Sequence, residues 1–276
     1  MKKRYSLLVL LLLLTAVGIP LQLLSQEKGK ATDYKPVVGQ GGKDVVWVPT
    51  PQELVDAMLD MAKITPGDFL VDLGSGDGRT VITAAKRGTR AIGLEYNPDL
   101  VELSKANAAK EGVSGTAQFV NTDLFEYDFT KATVVTMFLL SDLNLRLRPQ
   151  LLEMKPGTRL VSNTFTMGEW LADDKVVLED EDISWNTAYL WIVPANAEGK
   201  WKLDTGGELI IMQRFQMVIG GLRYPGTNEI SVEGKIRGYD ISFTAGNKTY
   251  TGTISGDRMS GTASDGKTTT RWSATR

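Results

Sequence analysis

A short apolar strand that runs straight into a glycine-rich turn constrains this chain more than any other feature. Phe69 to Leu73 is followed by Gly74-Ser75-Gly76-Asp77-Gly78 and Arg79, and a helix is expected to start at about Thr80. Glycines tolerate φ > 0 and place no Cβ between backbone and ligand, so a β-turn-α junction of this kind brings the main chain close to a bound molecule. The dinucleotide fingerprint G-x-G-x-x-G does not fit, because the third glycine comes one residue early and Arg79 stands where that fingerprint needs glycine. An acidic residue, Asp72, lies two before the first glycine, giving D-x-G-x-G-x-G. Taken alone, the turn is equally compatible with a generic glycine turn in an α/β protein, and the flanking chain must decide.

At 276 residues the chain has room for one medium domain and a smaller one. It contains no cysteine and no histidine, which excludes a disulfide framework, Cys/His metal clusters and Ser-His-Asp or Cys-His hydrolases. No metal site is expected. The formal charge of −2 gives no electrostatic footprint for nucleic acid. A small molecule or a protein is the expected partner, and the sequence leaves the oligomeric state open.

Lys2-Lys3-Arg4 precedes an apolar run from Leu7 to Leu24, so residues 1–26 read either as a signal peptide, with Ala16-Val17-Gly18 as a cleavage site, or as a membrane anchor. The basic flank predicts that the remainder is exported to a bacterial envelope, and a cytoplasmic orientation stays open. Residues 27–44 read as a flexible tether, and folded structure is expected from Val45. Thr50-Pro51-Gln52-Glu53 carries a helix-start signature, with Thr50 as cap, Pro51 in the first turn and Glu53 reaching back. Thr50 also lies where the chain turns towards the ligand edge. A second strand, Arg90 to Leu94, ends at Glu95, beside the glycine turn in a doubly wound sheet. There its two oxygens can accept from both hydroxyls of a ribose; the plainer reading is a surface carboxylate. Asp123, after a third strand, can accept from an exocyclic adenine amine, with Leu124 or Phe125 against the base. Thr133 to Leu140 reads as a buried strand, and Arg159 to Asn163 as the strand after Lys155-Pro156-Gly157. Strands at Val176 to Leu178 and Ala188 to Val193 complete the sheet.

The motifs VDLGSGDGR, GLEYNP, NTDLF and MKPGTRLVS occur in the order found in class I S-adenosylmethionine (SAM) methyltransferases, and from Trp47 to about Pro194 the chain resembles that family. WVPTPQELVDAML followed by DLGSGDGR resembles, within it, the mitochondrial lysine methyltransferases of the ATP synthase c-subunit and the adenine nucleotide translocase, with their bacterial relatives. The resemblance implies an α/β fold with a Rossmann-like seven-stranded sheet over residues 45–196 and SAM as cofactor. It also implies that Asp72, Gly74, Gly76 and Asp77 surround the methionine and ribose part, that Glu95 meets the ribose and Asp123 the adenine. Ser75 and Gly78 complete the turn, and Thr50 lies at its edge.

Phe138-Leu139-Leu140-Ser141-Asp142 lacks the Asn-Pro-Pro-Tyr or Asp-Pro-Pro-Tyr motif that holds a planar amino group in adenine-N6 and glutamine methyltransferases, so those substrates are not expected; the resemblance implies a protein lysine, or another small amine, as the acceptor. Ser141, Asp142, Asn163, Phe165 and Trp170 are candidates for the acceptor side. A lysine must lose a proton before attack, and Asp142, Ser141 and Asn163 are the candidate catalytic residues; Asp142 is equally well read as a helix cap. The acidic run Glu179 to Asp182 reads as a solvated loop or as an attraction for a basic substrate. Two further readings stay open: a methyltransferase of small molecules, and an exported non-catalytic binding protein that keeps the fold. The last is motivated by export away from the cytoplasm, where SAM is made.

Residues 197–276 change to glycine, threonine and alternating apolar positions. Segments 234–244 and 252–262 line up as two strand-turn-strand repeats, and Glu208 to Val218 reads as one long strand. A small antiparallel β domain, a meander or a closed barrel, is expected, with ligand or partner binding as one role and a structural appendage as the other.

Overall fold

The computed structural model describes residues 33–179 and 185–276, so the expected signal or anchor segment and Asp180 to Asp182 of the acidic run lie outside the described residues. Among the described residues, no helix is long and apolar enough to cross a membrane.

The first part of the chain builds one sheet. Its strands in chain order are Phe69–Leu73 (β1), Arg90–Glu95 (β2), Ala117–Asn121 (β3), Val134–Met137 (β4), Arg159–Asn163 (β5), Asp174–Val177 (β6) and Thr187–Ile192 (β7). They lie in the order β3-β2-β1-β4-β5-β7-β6. β1 pairs in parallel with both β2 and β4, and only β7 and β6 run antiparallel. The expected seven-stranded class I methyltransferase sheet is therefore present. Helices Gln52–Met61 (α1), Arg79–Lys86 (α2), Pro98–Lys110 (α3) and Ser141–Leu152 (α4) join the strands.

Both faces of the central strands are covered, which is why β1 and β4 are almost wholly apolar instead of alternating, broken only by the paired Asp72 and Thr136. Leu70 and Val134 join the core formed with Leu54, Leu59, Val81 and Ala84 on one face. Their neighbours Val71 and Val135 join Leu147, Leu151 and Trp191 on the other. The chain leaves β1 towards β2 and β3 and then returns to β4 on the opposite side. The carboxyl ends of β1 and β4 thus open a crevice at the point where strand order reverses.

One expected cap is absent. Pro51 is the N-cap of α1 and no side chain caps the helix. Thr50 is instead buried, and its hydroxyl accepts from Asn163 Nδ2 at 3.2 Å. In the same way Leu140, not Asp142, is the N-cap of α4, with Asp142 in its first turn.

The second part of the chain is a closed barrel, which resolves the choice between meander and barrel. Its strands are Gly199–Leu203 (β8), Glu208–Arg214 (β9), Met217–Arg223 (β10), Ile230–Arg237 (β11), Asp240–Ala245 (β12), Lys248–Ser255 (β13), Arg258–Ser264 (β14) and Thr269–Thr275 (β15). Pairing of β15 with β8 closes it, and Trp201, Phe243, Tyr250 and Trp272 help fill the interior. The two repeats form the hairpins β11–β12 and β13–β14. The expected strand from Glu208 to Val218 is broken at Phe215, whose φ is +53°. No glycine, asparagine or aspartate marks that turn; the cause is tertiary. The Phe215 ring stacks on Trp170 at 6.0 Å and 12°, and Gln216 Nε2 donates to the Leu171 carbonyl at 2.7 Å. The β9–β10 turn is thereby docked on the sheet domain.

Candidate cofactor and acceptor site

A pocket of about 1040 Å³, measured with its open mouth, lies over the carboxyl ends of β1, β2 and β4. Its wall includes Thr50, Asp72, Gly74, Ser75, Gly76, Asp77, Glu95 and Asp123, which the sequence singles out. The glycine turn that forms its floor is built by backbone geometry. Gly74, Gly76 and Gly78 have φ of +76°, +54° and +84°, in the region that glycine enters without strain. Gly74 N and Ser75 N donate to the Leu94 carbonyl, and α3 holds the turn from behind. Ser104 Oγ donates to the Gly76 carbonyl at 2.8 Å and Asn107 Nδ2 to that of Asp77 at 3.0 Å.

Gly78 and Ser75 have duties other than lining. A Cβ on Gly78 would lie 2.8 Å from the Phe119 ring and 2.9 Å from Ser104, so this glycine permits helix-sheet packing and is not on the pocket wall. Ser75 is on the wall, yet its buried hydroxyl is unpartnered and turned against Gly93, where a Cβ would come within 2.4 Å of it. Gly76 has a different neighbour. A Cβ there would meet Trp47 Nε1 at 2.7 Å, so the indole lies directly on the turn.

Glu95 is held in a fixed orientation. Gly76 N donates to Oε2 and Asn97 N to Oε1, each at 2.9 Å. Each carboxylate oxygen keeps lone-pair capacity for a further donor, the arrangement that a vicinal diol requires. Burial pushes the Glu95 carboxyl up, and the N–H groups of Asn97, Gly76 and Tyr96 oppose that push. Asp72 is more extreme. Burial, reinforced by the nearby carboxylates of Glu95 and Asp77, drives it up to about 7 against the opposing hydrogen bond from Thr136 Oγ1 at 2.7 Å. A buried carboxylate at such a value is poised to gain a cationic neighbour.

Asp123 accepts from Phe125 N at 3.0 Å and forms an ion pair with Lys43. The hydrogen bond from Lys43 is the main reason that its carboxyl is held below the usual range. Leu124 lines the pocket, whereas Phe125 is covered by the Arg146 guanidinium at 4.0 Å. Of the two residues considered for the base, Leu124 is therefore the one that faces the space.

Residues 40–44, expected as the end of a tether, are part of the wall. Gly39 N and Gly42 N donate to the carbonyls of Trp47 and Val45, and Trp47 N to that of Gln40, all at 2.9 Å. This hairpin carries Lys43 and Trp47 over the pocket. Arg79, seen in the sequence only as a departure from a fingerprint, ties the assembly together. It donates to both Asp77 oxygens, from Nε at 3.0 Å and Nη2 at 2.7 Å, and through Nη1 to the Thr50 carbonyl at 2.7 Å. Lys43, Trp47, Tyr96 and Leu139 are further wall residues that sequence reasoning missed. The hairpin had no legible signal beyond its glycines, because nothing local tells a glycine tether from a glycine turn.

The acceptor candidates separate. Ser141 and Asp142 are exposed, and Asn163 is buried beneath Thr50; none of the three lies on the pocket wall. Trp170 is fully buried, in contact with Phe215 and Trp191, and so belongs to the core. Phe165 is half-buried and stands beside Phe138, which lines the pocket. Asn144, also missed, holds this loop from α4 by donating to the Phe165 carbonyl at 3.1 Å.

Comparison with known proteins agrees with this geometry. The family described as ANTKMT methyltransferase domain matches residues 72–174. A protein-lysine N-methyltransferase of Saccharolobus islandicus is 43% identical over 152 residues, 54% of this chain and 94% of the relative. The human lysine N-methyltransferase of the ATP synthase c-subunit is 36% identical over 140 residues, and the match spans 50% of this chain but only 59% of that protein. Among solved structures, one from Salinibacter ruber, described as an RNA methyltransferase in complex with S-adenosyl-L-homocysteine, is 46% identical. It superposes with a TM-score of 0.51 and covers 54% of this chain and 95% of that one.

Proposed function

Because this chain belongs to the ANTKMT-type methyltransferase family and is a SAM-dependent methyltransferase, we propose that its acceptor is the side-chain amino group of a protein lysine. SAM supplies, when bound, a methyl group already activated on a sulfonium, so the protein's task is mainly to position donor and acceptor. The pocket residues fit that group. The observation that carries the reading is the Glu95 carboxylate, fixed by Gly76 N and Asn97 N with acceptor capacity left on both oxygens. We assign Glu95 to the ribose hydroxyls, Asp123 with Leu124 to the adenine, and Asp72, Gly74, Gly76 and Asp77 to the methionine and ribose part.

Three observations support lysine. The relative that this chain spans at 94% of its length is a protein-lysine methyltransferase. The strand end Phe138 to Ser141 carries no motif for a planar amino group. A net charge of −2 suits a basic acceptor better than RNA, the substrate class in the description of the Salinibacter structure. Attack requires a neutral amine; Asp142 and Ser141 are off the pocket wall but lie in the chain between its residues Leu139 and Leu143, and we assign these two exposed groups to pass the proton to water, with Asn163 acting only by holding Thr50 in place. Membership of an enzyme family argues against the non-catalytic reading.

The test is transfer from methyl-labelled SAM to polylysine and, in parallel, to a mixed RNA, with products identified by mass spectrometry. Methylated lysine is the expected product. Label confined to RNA, or to neither, contradicts the proposal.

A further inference from the structure

Three aromatic rings stand together at the ligand edge of the sheet and take no part in its packing. Phe138 follows β4, Phe165 follows β5, and Trp185 precedes the antiparallel β7, so neighbouring strands bring all three to one edge. Their centroids form a nearly equilateral triangle, with separations of 6.1, 6.0 and 5.7 Å. None of the three belongs to any of the three hydrophobic cores of the described residues. Trp185 is 44% exposed, while Phe138 reaches the wall of the cofactor pocket. The group therefore runs from solvent to the pocket, as an entrance would.

The backbone beneath two of these rings is held in unfavourable conformations. Thr164 has φ of +59° and Trp185 of +63°, values costly for a β-branched and for a bulky residue. Around Thr164, Phe165 N donates back to the Asn163 carbonyl at 2.6 Å, closing a tight three-residue turn. Thr164 N donates to the Thr187 carbonyl at 2.7 Å, and Asn144 Nδ2 holds the Phe165 carbonyl. These bonds impose the strain, and its local result is to set Phe165 beside Phe138 and Trp185.

A cation placed over the triangle lies within about 6 Å of all three ring centroids at once, the range in which aromatic faces attract an ammonium group. The rings are inclined to one another by 28°, 61° and 35°, so they do not present the single flat platform on which a nucleobase stacks. We infer that Phe138, Phe165 and Trp185 form the entrance subsite for the acceptor, receiving the cationic lysine side chain and retaining it after methylation. An ammonium keeps its charge through every methylation state, so the same subsite serves a partly methylated lysine. This deepens the assignment of a lysine acceptor and rests on it.

The test uses the full chain saturated with S-adenosylhomocysteine. Nα-acetyl-Nε-trimethyl-lysine methylamide is titrated against its neutral isostere, with carbon in place of the charged nitrogen, and binding is followed by the Trp185 indole resonance and by calorimetry. The charged probe binds at least about fivefold more tightly than the isostere, and Trp185→Ala or Phe165→Ala weakens it about fivefold. Trp185→Phe restores most of the affinity, and S-adenosylhomocysteine binding is the same in every variant. Equal binding of the two probes, no binding of either, no effect of Trp185→Ala, or stronger binding of uridine at the same indole overturns the inference. Polylysine methylation separates the two claims. Charged-probe binding with no transfer to polylysine supports the subsite and contradicts the lysine-transfer reading; normal transfer by Trp185→Ala and Phe165→Ala does the reverse.

Discussion

Asp72 is the residue whose chemistry is most displaced from the ordinary. Its carboxyl sits at about 7, mainly through burial, on the strand that feeds the glycine turn. SAM carries positive charge, and in the proposed placement beside Asp72 it favours the ionised form. Binding then expels a proton at neutral pH, and affinity for SAM rises up to about tenfold between about pH 6 and pH 8. Calorimetry across that range measures the slope, and Asp72→Asn flattens it. Stability runs the other way. From the ordinary aspartate value up to about 7, the folded chain holds a proton that the unfolded chain has released, so stability falls as pH rises through that window. Asp72→Asn removes the loss and, above about pH 7, is more stable to urea by up to about 4 kcal/mol while binding SAM more weakly. A variant less stable than the parent at high pH contradicts this account.

At the scale of elements, the hairpin 39–47 and the glycine turn work as two jaws. Trp47 rests on Gly76, and Lys43 bridges to Asp123 on the far side. Gly76→Ala forces a methyl group against the indole and a left-handed backbone on alanine, which displaces the hairpin and destabilises the chain by about 1–3 kcal/mol. Faster hydrogen exchange at Gly39, Gly42 and Trp47 is the expected signature; unchanged exchange there contradicts the packing described.

The lower jaw and the sheet behind it were readable in the sequence, because D-x-G-x-G-x-G, the apolar runs of β1 and β4, and Glu95 at a strand end each follow from local rules. The upper jaw was not, since its three main hydrogen bonds join residues of a glycine-rich segment that looks like any tether. The helix caps failed for a related reason. Thr50 has the right residue type at the right place, but Asn163, 113 residues away, takes its hydroxyl. Trp185 was invisible because only the pairing of β5 with β7 brings it beside Phe165.

On the scale of the whole molecule, the barrel and the sheet meet through a few specific contacts. The turn between β9 and β10 seats Phe215 on Trp170, with the Arg148 guanidinium 5.3 Å from the ring centroid, and Gln216 reaches the Leu171 carbonyl. On a second contact the turn between β11 and β12 lies against the sheet domain, where a Cβ on Gly238 would meet Gly157 Cα at 3.2 Å and Ile192 at 3.6 Å. The break in a strand that alternation alone predicts as continuous is thus a docking feature. Phe215→Ala removes the stacked ring and lowers stability by about 1–3 kcal/mol, with cofactor affinity unchanged. Thermal unfolding with and without S-adenosylhomocysteine checks both halves of that statement.

The central claim is that the crevice over β1, β2 and β4 holds SAM through a carboxylate fixed by backbone. Calorimetric titration of the chain and of Glu95→Ala with S-adenosylhomocysteine tests it most directly. One binding event per chain is expected, with a loss of about 1–3 kcal/mol in the variant from charged hydrogen bonds no longer made. An undiminished affinity in Glu95→Ala, or no detectable binding by the parent chain, contradicts it.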